Sequence, residues 1–341
     1  MKNFTLLWLT LSLFFSFQSN AQIFDSENFN ALTAGNIGTN TTGTVAGQGN
    51  FYTITNTGLN SDFQIVDAGG GDNVLQITGS SNGSGTRYIW KDGLNDFWNN
   101  TRTPTNNIIE VEFWFFTGST TTSKNEISVE IYDTGYTKII AGLVFFPETK
   151  IIEGLLYANG SSGLGTYYVF LGNGGTADVV LLEDTWYKAG IAFDVTTGEV
   201  TYRSSDFYLA YNGSAMGNTP FETDIVVYPG TDNTVSTTSY FDDFKVRAVA
   251  TEMLLLGVDN NEISKSIKLF PNPVNDVINL TMPNTIKPDR FEISDINGRI
   301  VKTLIDKNIR NQISVSELSS GVYLLNIYST EGKTTKKFIK N

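Results

Sequence analysis

Two glutamates on one predicted strand form a candidate catalytic pair. Glu110 and Glu112 are two residues apart, so strand alternation places both on the same face. Carboxyl groups roughly 5 to 5.5 Å apart perform retaining glycoside hydrolysis. A polar or half-buried sheet face has the same pattern, and a second predicted face of this kind carries Glu126, Glu130 and Tyr132. Catalysis and plain sheet structure therefore both remain open for this pair.

Aromatic residues near Gly, Asn and Asp-rich segments suggest a second kind of chemistry. Rings that project from such segments stack on the flat faces of sugars, while Asn and Asp bond the hydroxyl groups. Core packing is the alternative for each ring. The candidate ligand-binding residues are Tyr88, Trp90, Trp98, Tyr167, Tyr168 and Tyr211.

The composition excludes several enzyme classes. The 341 residues include no histidine and no cysteine. A Ser-His-Asp triad, a histidine-ligated zinc site, a thiolate nucleophile and disulfide bonds are therefore all excluded. Stability must come from the buried core and from bound calcium, if calcium is present.

The charge of the chain is divided unevenly along its length. Residues 22–263 carry 28 acidic and 10 basic side chains, whereas residues 264–341 carry 7 acidic and 12 basic ones. Such a break indicates two separate modules. The acidic module lacks the basic surface that nucleic acid requires, and anionic lipid would repel it. Neutral polymers, cations and proteins are the partners that this charge favours.

Strands must position these residues, because nearly every segment between 22 and 250 has a strand pattern. Apolar runs with a period of two, or continuous apolar runs, are separated by Gly, Asn, Ser and Thr clusters. Only residues 251–258 have a helical pattern. The predicted fold is all-β, with a large two-sheet sandwich or jelly roll. The predicted strands are 51–55, 74–78, 108–116, 127–132, 138–146, 151–157, 167–171, 178–182, 186–194 and 239–246.

The C-terminal 75 residues contain three short motifs in a fixed order, followed by a basic end. The residues are Pro271, Asn272 and Pro273, then Gly298 and Arg299, then Gly321 and Tyr323, and finally Lys340. This region resembles the type A sorting domain of the type IX secretion system, the secretion tail of Bacteroidota proteins. The resemblance implies recognition by an outer-membrane translocon and removal by sortase-like processing machinery. Alternating segments at 277–282, 290–296, 300–306 and 321–328 predict a small immunoglobulin-like antiparallel sandwich.

The N-terminus has the pattern of a cleavable signal peptide. Lys2 precedes an apolar run over 6–17, and small residues follow up to Ala21. A membrane-spanning helix needs roughly 20 apolar residues, which makes this run too short. We therefore predict no transmembrane segment, cleavage before Gln22, and passage through the periplasm to the cell surface or the medium.

Two further segments resemble a known fold. Residues 181–213 and 240–248 are similar to strands of the laminin-G-like form of the concanavalin A fold. This group includes lectins, adhesion modules, glycanases and polysaccharide lyases, so the resemblance implies the fold and leaves function open. Its glycanases carry a denser Glu-x-Asp-x-x-Glu signature, which this sequence does not contain.

The same resemblance implies a structural calcium ion. In many sandwiches of this group, acidic residues of the first and last strands hold one calcium ion away from the ligand groove. The corresponding candidates are Asp25, Glu27, Asp242 and Asp243. Alternation favours Asp243 over Asp242, since Asp243 would lie opposite the face of Phe244. Solvated surface carboxylates are the alternative.

The predicted organisation is a signal peptide at 1–21, a concanavalin A-like domain at 22–250, a linker at 251–266 and a sorting domain at 267–341. The favoured function is a secreted, cell-surface-displayed, non-catalytic protein that binds carbohydrate or mediates adhesion. One alternative is a polysaccharide-degrading glycanase or lyase of the same fold. The other is a structural or protein-binding surface component.

Overall fold

The computed structural model of the chain describes residues 21–69, 72–254, 267–282, 288–295, 299–304, 312–329 and 332–341. The chain divides into two compact units, with the boundary between residues 256 and 257. The predicted signal peptide up to residue 20, most of the predicted linker and Gly298 lie outside the described residues. Within these ranges, no helix is long and apolar enough to span a membrane.

Seventeen strands are described in the N-terminal unit. In chain order they are β1 (Gln22–Glu27), β2 (Gly35–Asn36), β3 (Phe51–Ile54), β4 (Phe63–Gly69), β5 (Asp72–Thr78), β6 (Arg87–Lys91), β7 (Ile108–Phe116), β8 (Glu126–Asp133), β9 (Ile139–Phe146), β10 (Ile151–Gly160), β11 (Gly163–Val169), β12 (Val179–Val180), β13 (Trp186–Asp194), β14 (Glu199–Ser204), β15 (Tyr208–Asn212), β16 (Pro220–Tyr228) and β17 (Thr238–Val249).

Helical structure in this unit is short. One helical turn, α1 (Leu94–Asp96), continues into a π-helical turn at Phe97–Thr101. Short 3-10 turns lie at Gln48–Asn50 and Asn60–Asp62. The helical pattern predicted for 251–258 is wrong for residues 251–254, which form bends and a turn. The rest of that segment lies outside the described residues.

The strands form two antiparallel sheets. The nine-stranded sheet has the order β15-β14-β13-β7-β17-β5-β4-β2, with β1 also paired to β17. The eight-stranded sheet has the order β11-β10-β9-β8-β16-β6-β3, with β12 also paired to β10. Hairpins between consecutive strands alternate with pairings between strands that are distant in the chain, such as β13-β7, β7-β17 and β8-β16, as in a jelly roll. The all-β jelly-roll prediction is confirmed.

The core of this unit lies between the two sheets. Alternate residues of β7, including Phe113 and Phe115, are buried there. The ring of Phe115 lies 5.5 Å from that of Phe145 in β9, which joins the two sheets directly. Large rings supply most of the buried apolar area in such a core.

The C-terminal unit is a small β-sandwich. Its described strands are β18 (Lys268–Phe270), β19 (Val277–Thr281), β20 (Pro288–Asp295), β21 (Ile300–Leu304), β22 (Gln312–Ser314), β23 (Gly321–Ser329) and β24 (Gly332–Lys340). They form a three-stranded sheet, β18-β19-β22, and a four-stranded sheet, β21-β20-β23-β24. One core cluster takes residues from both sheets, among them Ile278, Ile313, Phe291 and Leu325. The prediction of a second, smaller antiparallel sandwich is confirmed.

Candidate functional site

One face of the eight-stranded sheet is turned away from the core and combines carboxyl groups with aromatic rings. In β8, Ile127, Val129 and Ile131 belong to the core, so the alternate residues lie on the opposite face. In β6, β10 and β16, the residues that alternate with core residues lie on this same opposite face. We call this surface the acidic face; its polar and aromatic residues are Tyr52, Tyr88, Trp90, Glu126, Ser128, Glu130, Tyr132, Glu153, Tyr168, Glu222, Asp224 and Tyr228.

Strand register places a row of these residues side by side. Tyr52 pairs with Trp90, Trp90 with Asp224, and Asp224 with Glu130. The rings of Tyr52 and Trp90 are stacked, with centroids 5.6 Å apart and planes 18° apart. Directly opposite residues on one sheet face interact through their side chains. An aromatic pair therefore adjoins a pair of carboxyl groups.

Glu130 is held by three hydroxyl groups. Ser128 Oγ donates to Glu130 Oε1 at 2.7 Å, Tyr228 Oη donates to Oε2 at 3.1 Å, and Tyr132 Oη also donates to Oε2. The residue is fully buried. Burial raises the pKa of Glu130, and the three hydrogen bonds lower it in part. The acceptor atoms of this carboxyl group are thus satisfied from within the face.

Asp224 and Glu222 form a buried acid pair. They share a hydrogen bond, and Tyr136 makes a second one to Glu222. Burial, followed by the charges of Glu222 and Glu130, raises the pKa of Asp224 well above its ordinary value. Burial raises the pKa of Glu222 to about 7. Asp224 is 4 % exposed, and its Oδ1 atom has no hydrogen-bond partner among the described residues.

Three of the six candidate ligand-binding rings lie on the acidic face. Tyr88 meets Tyr228 edge-on at 5.9 Å, and Trp90 Nε1 donates to Asp92 at 2.9 Å. Tyr168 is 53 % exposed, and its hydroxyl donates to Glu126 at 2.8 Å. These rings come from β6 and β11, which lie near opposite edges of the sheet.

The other three candidate rings lie elsewhere. Trp98 is 1 % exposed in the core, with Arg102 over its ring, so the expectation that it projects into solvent is wrong. Tyr167 alternates with Tyr168, and its hydroxyl donates to the Gly163 carbonyl at 2.6 Å. Tyr211 packs against the core cluster. A Gly, Asn or Asp-rich neighbourhood is therefore a weak indicator of ring exposure.

The candidate catalytic pair, Glu110 and Glu112, belongs to a buried ion network on the nine-stranded sheet. Arg247 Nε bonds Glu110 and Arg247 Nη2 bonds Glu112 Oε1 at 2.8 Å, with Lys188 3.6 Å from Glu112. The backbone N–H of Met253 also donates to Glu110. Burial raises the pKa of Glu110, against the Met253 and Arg247 contacts. These contacts fit the structural interpretation of the pair better than the catalytic one.

Lys91 pairs with two of the four candidate calcium ligands, Asp25 and Glu27, and a β-bulge lies at the other two, Asp242 and Asp243. Lys91 Nζ bonds Asp25 Oδ1 at 2.9 Å and Glu27 Oε2 at 3.1 Å. The register of β17 shifts between Asp242 and Lys245, where Asp243 adopts a φ of +48°. Within the described ranges, no three Asp, Glu, His or Cys side chains are grouped so that they could hold a metal ion. The four side chains therefore fit a calcium ion only in part, and the site stays a prediction.

The bulge also corrects the predicted orientation of the two aspartates. Phe241 and Phe244 both belong to the core, so two residues fill the place of one between them. Asp242 is half-buried and lies in register with Trp114, whereas Asp243 is exposed. Burial and then the charge of Asp243 raise the pKa of Asp242 to about 8.

The motifs of the C-terminal unit form turns and strand ends. Asn272, between Pro271 and Pro273, accepts a hydrogen bond from Ile339 N–H at 2.9 Å. Arg299 pairs with Asp295 at 3.1 Å. Gly321 lies in register with Lys340, and the Tyr323 hydroxyl donates to the Ser319 carbonyl at 2.9 Å. Tyr323 belongs to the core of this sandwich, and its ring stacks on that of Phe338 at 5.5 Å.

Residues 268–341 match the family model described as the secretion system C-terminal sorting domain. The C-terminal unit is a sorting domain. The chain is accordingly a secreted protein that type IX processing machinery handles and that reaches the cell surface or the extracellular space. No curated protein matches the chain significantly.

Solved structures similar to the chain have low identity. The CBM2 module of the evolved Dit of Lactobacillus casei BL23 phage J-1 is 14 % identical, with a TM-score of 0.42 over 69 % of this chain and 98 % of that one. Alginate lyase vAL-1 from Chlorella virus is 12 % identical, with a TM-score of 0.40 over 66 % and 99 %. Alginate lyase A1-II', a member of polysaccharide lyase family-7, is 13 % identical, with a TM-score of 0.39 over 56 % and 84 %.

Sequence reasoning missed the central residues of the acidic face. Glu222 and Asp224 lie in β16, which was not among the predicted strands. The segment alternates carboxyl groups with Thr223 and Ile225, and this period of two was the available signal. Tyr52 lies in a predicted strand without having been selected as a candidate.

Proposed function

We propose that the N-terminal unit is a non-catalytic glycan-binding or adhesion module that uses the acidic face. The observation that carries the proposal is the placement of Tyr88, Trp90 and Tyr168 on one outward sheet face, with Tyr52 stacked on Trp90. Partly exposed rings offer flat apolar area to a sugar ring, and adjacent carboxyl groups accept hydrogen bonds from its hydroxyl groups.

The rigidity of the face supports this proposal. Its rings are fixed by ring contacts and hydrogen bonds, such as Tyr168 to Phe146 at 5.9 Å and Trp90 to Asp92. A binding surface that is fixed before the ligand arrives loses less conformational entropy on association. The export route is consistent with this role, because a secreted module meets polymers outside the cell.

Binding to a glycan array tests the proposal. The full chain without its signal peptide should retain at least one oligosaccharide, and W90A and Y168A should each weaken that binding at least about tenfold, which corresponds to about 1.4 kcal/mol. Tyr208, which is 61 % exposed on the nine-stranded sheet, supplies the control variant Y208A. A folded wild-type chain that retains no glycan, or equal losses in all three variants, would contradict the proposal.

Polysaccharide hydrolysis is the second candidate function, and a specific observation favours it. Asp224 lies in register with Glu130 on the same face, and the two carboxyl groups have different environments. Burial raises the pKa of Glu130 and the pKa values of the Glu222 and Asp224 pair, and three hydroxyl donors oppose that rise at Glu130. Glycosidases use pairs of carboxyl groups in different environments as base and acid.

A reducing-sugar assay across neutral polysaccharides decides this second candidate. Activity that disappears in both E130Q and E222Q, with glycan binding retained, would support hydrolysis. Glu110 and Glu112 provide the comparison, since E112Q alters the other sheet. Activity that survives E130Q and E222Q would exclude this pair of carboxyl groups.

A further inference from the structure

The acidic face contains several carboxyl groups and no basic side chain from its own strands. Its acids are Glu126, Glu130, Glu153, Glu222 and Asp224. The strands of the eight-stranded sheet contain two basic residues, both in β6.

Both of these basic residues are engaged on the other side of the sheet. Arg87 and Lys91 alternate with the rings of β6, so they lie on the opposite face. Arg87 bonds Asp62 at 2.9 Å, and Lys91 bonds Asp25 and Glu27. Lys138, just before β9, pairs with Asp133 at 3.0 Å. Among the described residues, no ion pair reaches Glu130 or Asp224.

Asp224 is an unusual member of this cluster because one of its buried acceptor atoms is unused. The residue is 96 % buried, and Oδ1 makes no hydrogen bond within the described part of the chain. An unsatisfied buried acceptor is unfavourable and therefore rare in folded proteins. Its register neighbours are Trp90 and Glu130, so a ligand donor that reaches Oδ1 also meets an indole ring and a second carboxyl group.

Donor chemistry and charge together restrict the ligand. An ammonium group offers three donors and a positive charge, which a sugar hydroxyl lacks. A cation next to an aromatic face gains a further favourable interaction, larger when water is excluded. An ammonium group would lower the raised pKa values of Glu130, Glu222 and Asp224 and so favour their ionised forms, whereas a uronate or sulfate group would raise these pKa values further and meet no basic side chain from the strands of this face.

We infer that the acidic face selects glycans that carry free, protonated amino groups, such as polymers of glucosamine, and rejects uronic-acid polymers. This inference rests on the proposed glycan-binding function and names its ligand class. The aromatic rings favour a sugar over a lysine-rich peptide, because several rings are spread along the face from Tyr52 to Tyr168.

Calorimetric titration of the full chain without its signal peptide tests the inference. Four oligosaccharides of equal length serve as probes at pH 6: glucosamine, N-acetylglucosamine, cellulose and alginate oligomers. We expect the glucosamine oligomer to bind at least tenfold more tightly than the N-acetylated one, and the alginate oligomer to show no binding. Asp224→Asn should reduce the glucosamine preference at least tenfold and leave cellulose-oligomer binding within twofold.

The controls separate this inference from non-specific attraction to a chain of net charge −12. Asp67→Asn removes an exposed carboxylate while keeping its acceptor for Gly69 N–H, and it should preserve the preference. Equal binding of the glucosamine and N-acetylated oligomers overturns the inference and leaves the proposed function standing. A lysine hexapeptide that binds as tightly as the glucosamine oligomer overturns it as well. No binding of any oligosaccharide overturns both.

Discussion

Asp224 of β16 lies directly across from Glu130 of β8 on an outward sheet face, and neither carboxyl group forms an ion pair within the described residues. Glu130 accepts hydrogen bonds from three hydroxyl groups, whereas Asp224 shares a hydrogen bond with Glu222. The charge of Glu130 raises the pKa of Asp224 in addition to the effect of burial. The face therefore stores unfavourable electrostatic energy that a cationic or donor-rich ligand would relieve.

The raised pKa of Glu222 predicts that the protein is less stable at neutral than at mildly acidic pH. Its pKa is about 7 in the folded chain and near 4.5 ordinarily, so folding favours the protonated form. The resulting stabilisation is complete below pH 4.5 and disappears as pH rises towards 7. Asp242, with a pKa of about 8, acts in the same direction.

Thermal unfolding of Glu222→Gln at pH 5 and pH 8 measures this contribution. The variant should lose about 1 to 2 kcal/mol of the pH dependence that the wild type shows, since each unit of pKa shift is worth about 1.4 kcal/mol. Glu148→Gln, at an exposed turn position, is the matched control and should behave like the wild type. Identical pH profiles for Glu222→Gln and the wild type would contradict the prediction.

The fold could be predicted from the sequence because the patterns that indicate its strands are local. Each of the ten predicted strands of the N-terminal unit corresponds to a strand of the structure. Alternation in segments such as Ile108–Phe116 reports directly which side chains face the core. The sorting domain was accessible for a different reason, because short turn motifs in a fixed order identify it.

The candidate site was only partly accessible, because it depends on register between strands that are far apart in the chain. Trp90, Asp224 and Glu130 become neighbours through pairings that no local pattern encodes. The alternation in β16 was a signal for a strand, but it assigns Glu222 and Asp224 to solvent, whereas the structure buries both. The exposure of Trp98 was overestimated because the short helical turn after Gly93 brings its side chain back into the core.

The network of Arg247 predicts a large loss of stability when its charge is removed. Arg247→Met would leave Glu110 and Glu112 buried without their main cation, which costs about 3 to 5 kcal/mol when one partner of a buried pair is deleted. Arg203→Met is the control, because Arg203 lies over the ring of the exposed Tyr208. Urea unfolding of both variants measures the difference. A loss for Arg247→Met no greater than that for Arg203→Met would show that water or Lys188 replaces the guanidinium group.

Calcium should have only a small effect on stability. Lys91 already pairs with both Asp25 and Glu27, so a cation near the first and last strands would rely mainly on Asp242 and Asp243. We expect a saturating chelator to lower the Tm by less than about 2 °C, which corresponds to less than about 1 kcal/mol for a domain of this size. Asp242→Asn should remove even that shift. A Tm decrease of several degrees in the wild type would instead support the four-residue calcium site that the sequence predicts.

The contacts of residues 252–254 predict that processing must leave these residues attached to the N-terminal unit. Leu254 is fully buried in the N-terminal unit, and a Cβ at Gly190 would lie 2.8 Å from its Cδ2 atom, so the glycine makes room for the leucine. Met253 bonds Glu110 through its N–H and Arg247 through its carbonyl. These residues lie inside the predicted linker yet contribute to the sandwich.

Cleavage that removes the sorting domain should therefore preserve the stability of the N-terminal unit only if it occurs after Leu254. A chain of residues 22–250 should unfold at least about 2 kcal/mol more easily than one of residues 22–256, because it loses a buried leucine and two hydrogen bonds. Leu254→Ala in the full chain should produce a similar loss, about 2 to 5 kcal/mol, while Leu182→Ala at a 70 % exposed position should produce little. Mass spectrometry of the secreted protein then locates the natural C-terminus. A mature chain that ends before residue 252 and is as stable as residues 22–256 would contradict the role of this segment.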